Sequence, residues 1–156
     1  MQVKLVAAAI GVFMALPTVA QDVTYRGQIA GLIKKNCVQC HGADSPSLAE
    51  FKLAEEKFKK EKRGPSMNSY QELIQFVGWP DAGALMRRLD DGANTADKKP
   101  GNMYKQLGDT DAERAENLKV FKAWVGDGAW NLNRFEARGT VPAVTKEQLD
   151  KLKLKY

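Results

Sequence analysis

Apolar residues recur along this chain at three- and four-residue intervals, and no segment alternates convincingly between apolar and polar positions. In residues 25–36, Ile29, Leu32 and Ile33 share one side, and the small Ala30 and Gly31 leave room for a close neighbour. Pro46 suits the first turn of a second helix, residues 46–62, carrying Leu48, Phe51, Leu53 and Phe58 until Gly64-Pro65 ends it. Tyr70, Leu73, Ile74 and Val77 mark a third helix over 69–77. Leu85, Met86 and Leu89 mark a fourth over 81–91, stopped by Gly92. Residues 93–102 are polar, contain Pro100-Gly101 and read as a loop. The best-marked helix follows: Thr110 and Glu113 form a capping box, and Leu118, Phe121, Trp124 and Val125 make a stripe ending at Gly126. A short last helix has Thr145 and Gln148 as its cap, with Val144 and Leu149 spaced for a hydrophobic staple. The expected class is all-α. The first and C-terminal helices are expected to cross, with Gly27, Ala30 and Gly31 against Phe121 or Trp124.

The first twenty residues break this pattern. A short basic start ending at Lys4 precedes an unbroken apolar run from Leu5 to Leu16, and Thr18-Val19-Ala20 offers the small residues of a cleavage site. A bilayer needs roughly 20 apolar residues to be crossed, so the run reads as a cleaved signal peptide over 1–20, with an uncleaved N-terminal tether as the alternative. The remaining 21–156 would form one exported domain with a core at about 25–126 and a C-terminal extension, 127–156. The expected location is the periplasm, with no membrane span after cleavage.

At 156 residues, 44% of them hydrophobic and 28% charged, the chain can build one real core and is not a disordered segment. The net charge of +5 falls to +4 when the leader takes Lys4 with it. Acids interleave with the lysines almost everywhere, unlike the concentrated basic stripe of a nucleic-acid binder. A weakly basic face for an acidic protein partner fits better.

Two cysteines and one histidine make up the whole inventory of those residues, and they stand together: Cys37-Val38-Gln39-Cys40-His41. This is the c-type haem attachment pattern. Two thiols three positions apart can add to the two vinyl groups of one haem, and the next residue supplies an imidazole to the iron. A thioredoxin-like disulfide would expect a preceding strand, and none is visible. Zinc would need four ligands, and the chain has no other Cys or His. A structural disulfide would leave the adjacent histidine unexplained. One motif means one haem c, and one histidine means that the sixth iron ligand is not a second imidazole, which leaves Met, Lys, Tyr, a terminal amine, water or an empty position. Met67, Met86 and Met103 are the remaining methionines beyond the leader. Met86 is in register with Leu89 and is accounted for by packing. Met103 follows Pro100-Gly101-Asn102 in a loop, which can swing a thioether towards iron, and is preferred, with Met67 as the runner-up.

With these residues in order, the chain resembles the class I monohaem cytochrome c family of the periplasmic bacterial type over nearly all of residues 21–156. An N-terminal helix, the Cys37–His41 motif, Gly64-Pro65, middle helices, a loop with Pro100-Gly101 and Met103, and a C-terminal helix follow one another as in that family. The run Trp79, Leu85-Met86, Leu89, Pro100-Gly101, Met103 is similar to the mitochondrial type, although one residue rather than two separates Gly101 from Met103. The helix expected over 46–62 is extra. The resemblance implies that Trp79 hydrogen-bonds a haem propionate, that the Pro65 carbonyl accepts the His41 ring proton, and that Met86 is not a ligand.

The function expected is one-electron transfer between redox protein partners through a haem with His41 and Met103 as axial ligands. No catalytic residue is expected, since the one histidine is spent on iron and the acids are scattered. Lys34, Lys35, Lys98, Lys99 and Lys105 are the candidate docking charges, and a monomer is the default. A haem sensor with a displaceable sixth ligand and a cytochrome subunit of an oxidoreductase are the alternatives. The single motif excludes the usual two-haem peroxidase.

Overall fold

A computed structural model describes residues 22–132 and 144–156; the expected signal peptide and residues 133–143 lie outside the described residues. Among the described residues the secondary structure is entirely helical. Thr24 starts the first helix: its hydroxyl accepts from the Gly27 amide, and a wide turn over Tyr25–Ile29 continues into Ala30–Asn36. We call residues 25–36 α1. One residue later comes α2, Val38–His41. Then follow α3 (Leu48–Leu53), α4 (Glu55–Lys60), α5 (Tyr70–Ile74) and α6 (Ala84–Leu89). A 3₁₀ turn, Tyr104–Leu107, leads to α7 (Asp111–Val125), α8 (Asp127–Trp130) and α9 (Lys146–Leu149).

The one helix expected over 46–62 is two. Ser47, not Pro46, opens α3, through a full capping box with Glu50, and the backbone departs from helical angles at Ala54 (φ −140°, ψ 43°). The break turns Leu53 out to 88% exposure while Phe51 and Phe58 stack at 6.1 Å. Residues 81–83 are not helical either: Gly83, in the left-handed region at φ 75°, is the cap from which α6 starts.

The core forms where α1 and α7 meet. Ile29, Leu73, Val77, Met86, Leu107, Phe121, Trp124 and Val125 are almost wholly withdrawn from water. The crossing is there, and Ala30 packs against the core. Tyr25 meets Trp124, ring centroids 6.5 Å apart, and Lys35 reaches Glu113 at 2.5 Å. Gly27 instead makes room for the Thr24 cap, and a side chain at Gly31 would project into open space.

The C-terminal residues clasp this crossing. Lys153 and Leu154 donate their amides to Val125 and Trp124, Tyr25 and Arg26 donate theirs to Lys155 and Tyr156, and the Trp124 indole donates to the Lys155 carbonyl at 3.0 Å. Tyr156 stacks on Tyr25 at 5.8 Å, with the Arg26 guanidinium over its ring, and Lys155 pairs with Asp22.

A second buried anchor is polar. Asp90, at 0% exposure, lies just past α6. Its Oδ1 accepts from the Trp130 indole (3.1 Å) and the Asn94 side-chain amide (2.8 Å), and its Oδ2 from the Gly92 (2.9 Å) and Asn94 (3.2 Å) backbone amides. Burial alone would raise the carboxyl's pKa. The hydrogen bonds from Asn94, Trp130 and Gly92 outweigh it and hold the group below the usual carboxylate value.

Two outcomes follow from these anchors. Deleting residues 152–156 leaves the buried Trp124 N–H without an acceptor and removes the Tyr156 stack. It should cost about 2–4 kcal/mol in urea denaturation, and an unchanged midpoint would mean the clasp is ornamental. Because the folded Asp90 carboxyl is more acidic than the unfolded one, its ionisation stabilises the fold above about pH 4, and that contribution is withdrawn as pH falls through the lowered value. The stability gap between wild type and D90N should therefore be wide at pH 7 and narrow towards pH 2. A constant gap would rule out the charge as its source.

Candidate functional site

Cys37, Cys40 and His41 occupy one turn at the end of α1 and in α2, and the His41 and Cys40 amides both donate to the Cys37 carbonyl. Both thiols are free and half-buried. Burial, then the neighbouring Cys40, pushes the Cys37 thiol up to about 11. This is the reverse of the acidified thiol that a Cys-x-x-Cys oxidoreductase needs.

The His41 ring is held by a segment that leaves the motif and returns to it. Residues 46–63 form an excursion whose two ends are laced together. Gly64 donates to the Cys40 carbonyl (2.8 Å), Ser66 to Pro46 (2.7 Å) and Met67 to His41 (2.9 Å). The extra α3–α4 segment therefore leaves Gly64-Pro65 beside the motif. His41 Nδ1 lies 2.7 Å from the Pro65 carbonyl. A carbonyl only accepts, so Nδ1 carries the proton and Nε2 is left with a free lone pair. A Cβ on Gly64 would fall within the imidazole ring's own contact shell, at Cε1 and Nδ1. Burial lowers the His41 pKa, the Pro65 bond works against this, and the Arg88 guanidinium adds to the lowering. The imidazole is thus held neutral, as a metal ligand must be.

The other expected site residues lie as follows. Met103 is half-buried against the core, immediately before the 3₁₀ turn, its amide donating to the Arg88 carbonyl at 2.9 Å. Gly101 approaches α6 so closely that a Cβ would strike the Arg87 and Arg88 carbonyl oxygens. Met67 is buried in the core, and Met86 is more deeply buried on α6. Trp79 sits on a surface turn with its indole 80% exposed. Lys35 pairs with Glu113, and the Lys98 ammonium donates to the Ala93 carbonyl. Sequence reasoning overlooked Asp90 and Trp130, which organise the loop before Met103. The Asp-Gly and Asn of residues 90–94 were the available signal, an Asx-turn composition.

The donor set suits a covalently held haem: two thiols on one turn, a tautomer-locked imidazole, and a glycine where any side chain would strike that ring. Comparison with known proteins gives the same direction. A family model described as PccH cytochrome c matches residues 24–156. The monohaem cytochrome PccH from Geobacter sulfurreducens has a solved structure similar to this one. The match has a TM-score of 0.74 and 47% sequence identity, covering 87% of this chain and 100% of that one. No curated protein matches.

G64A should push the imidazole off the Pro65 carbonyl. The chain has a single histidine, so its Nδ1 proton gives one unambiguous NMR signal. That signal should be slow to exchange with water in the wild type and broadened or lost in G64A. Equal protection in both would mean that Gly64 does not seat the ring.

Proposed function

Because the chain belongs to the PccH cytochrome c family, we propose that it is an exported single-haem electron carrier whose axial ligands are His41 and Met103. The aimed imidazole supports this most directly: Nδ1 is committed to Pro65 and Nε2 is free to bind a metal. A haem bound there supplies a one-electron Fe(III)/Fe(II) couple. Cys37 and Cys40 hold it by thioether bonds, so retention does not depend on axial coordination. His41 Nε2 would ligate the iron, with the Pro65 carbonyl keeping the ring oriented and raising its basicity.

Met103 is favoured over Met67 by the segment each belongs to. Met67 is two residues from Pro65, with its amide on the His41 carbonyl, so it belongs to the lacing that backs the imidazole. Met103 arrives from a different loop, anchored on α6. A thioether there favours ferrous iron and raises the reduction potential. In the same reading the exposed Trp79 indole donates to a propionate. Apolar groups such as Leu32, Phe121 and Trp124 limit water at the site.

Electron exchange with a redox protein partner needs only close approach at an exposed edge. Lys34, Lys35, Lys98, Lys99 and Lys105 would steer an acidic partner to it. Among the described residues, no helix is long and apolar enough to cross a membrane. Export to the periplasm as a monomer after cleavage near Ala20 completes the proposal.

Protein matured in a competent host should carry the added mass of one haem. Its ferric spectrum should show the weak long-wavelength band of iron–thioether coordination, lost in M103A and kept in M67A. The band persisting in M103A but vanishing in M67A would transfer the ligand role to Met67. Fast carbon monoxide binding to reduced wild type would instead support a haem sensor.

A further inference from the structure

The loop that carries Met103 holds its own first part by short-range hydrogen bonds, among them Lys98 N–H to the Thr95 carbonyl and Lys99 N–H to the Asp97 carboxylate. It is polar and largely exposed, and no regular element precedes the 3₁₀ turn. Its attachments converge on the end of α6. The Met103 amide donates to the Arg88 carbonyl, the Gly101 amide donates to the Asp90 carbonyl at 2.8 Å, and the Arg88 guanidinium donates to the Asn102 side chain at 3.0 Å. Upstream, the buried Thr95 hydroxyl donates to the Gly92 and Lys99 carbonyls (3.2 and 3.0 Å), pinching the loop at its base. At Gly92, φ 97°, an added Cβ would lie 2.6 Å from the Lys98 carbonyl oxygen.

Asp90 stands at the middle of this arrangement. Its main chain takes Gly101, its side chain takes the Gly92 and Asn94 amides that start the loop, and its Oδ1 also binds Trp130 of α8. No ion pair joins Asp90 to a cation among the described residues. Among the described residues the carboxylate is held by four N–H donors, from the loop and from α8. A carboxylate with two acceptor oxygens can serve all four donors. An amide has one acceptor oxygen and an NH₂ that would face two N–H groups.

We propose that Asp90 is the positioning residue for the sixth ligand: its buried carboxylate fixes the loop so that Met103 is presented to the iron and not released. This rests on the reading of Met103 as that ligand. Asp90 touches neither thioether nor metal. It acts through the loop, by limiting the conformations Met103 can reach when unbound.

A competition experiment on the ferric holoprotein reads this directly. External imidazole must displace the thioether to bind, so its apparent affinity rises as methionine ligation weakens. D90N should bind imidazole at least about tenfold more tightly than wild type and show a diminished long-wavelength band. W130F, which removes one of the four hydrogen bonds, should fall between them. L73A, a core truncation on α5, controls for general destabilisation: its thermal midpoint should drop, with imidazole affinity near that of wild type. If D90N is destabilised like L73A yet keeps wild-type imidazole affinity and the full band, the positioning role is overturned and Asp90 is only a structural anchor. If L73A gains imidazole affinity as D90N does, the effect is general loosening, and the proposal is overturned too. M103A in parallel separates the two levels. A band retained there overturns the ligand assignment itself and with it the proposal, whereas a band lost in M103A but untouched in D90N defeats the role of Asp90 alone.

Discussion

The hydrogen bond between His41 Nδ1 and the Pro65 carbonyl decides which nitrogen of the only imidazole in the chain keeps a lone pair, and in which direction it points. A histidine at the end of a four-residue helix would otherwise have two tautomers and free rotation about its side-chain bonds. Removing that freedom requires an acceptor from elsewhere in the chain. Pro65 is brought to the ring by the amides of Gly64, Ser66 and Met67, each donating to a carbonyl within or just after the motif. The absence of a side chain at Gly64 then lets the ring lie flat against that backbone. The excursion through α3 and α4 is accordingly permissible: its ends are sewn together, and its charged, partly exposed helices can vary without moving Pro65.

Much of this was legible in the sequence, for a physical reason. The Cys37–His41 spacing encodes its chemistry locally, because thiol, thiol and imidazole must share one turn. Thr110 with Glu113 and Thr145 with Gln148 mark helix starts that the structure keeps, through side-chain to backbone hydrogen bonds spanning three residues. What escaped reading depends on partners distant in the chain. Nothing near Ala54 distinguishes a broken helix from a continuous one, since its neighbours are good helix formers. The docking of Tyr156 on Tyr25 and Arg26 joins residues about 130 positions apart, largely through main-chain carbonyls that any sequence would supply. Asp90 looks like one more acid in a polar turn until Trp130 is found over it, 40 residues on. Gly31 was misread for the converse reason: a small residue permits a close contact without requiring one.

The two sides of the site are built on different physical terms. On the imidazole side, attachment is covalent in the proposed holoprotein, and its geometry comes from backbone hydrogen bonds closing on a compact segment. On the side of Met103, the sixth ligand in that proposal, a polar loop runs from the end of α6, and a buried carboxylate binds its first residues. Buried carboxylates cost desolvation, and replacing such groups by apolar ones is often neutral or stabilising. Asp90 therefore has to be understood through what it orders. Four donors on two oxygens define a single loop conformation, whereas an apolar residue of the same volume would leave the Gly92 and Asn94 amides and the Trp130 indole to find other acceptors.

This asymmetry bears on how an electron carrier works. Fast exchange with a partner requires that ligation change little between oxidation states, so both axial bonds must persist without large rearrangement. A thioether is a weak ligand for ferric iron, and a free loop would make its loss entropically favourable, since every residue released regains about 1–2 kcal/mol of conformational freedom. In the proposed holoprotein, thioethers from Cys37 and Cys40 would do nothing to prevent this, because they would hold the macrocycle and not Met103. The restraint has to come from the loop's own anchorage. In this chain that anchorage passes through Arg88, Asp90 and Gly101 before it reaches Met103.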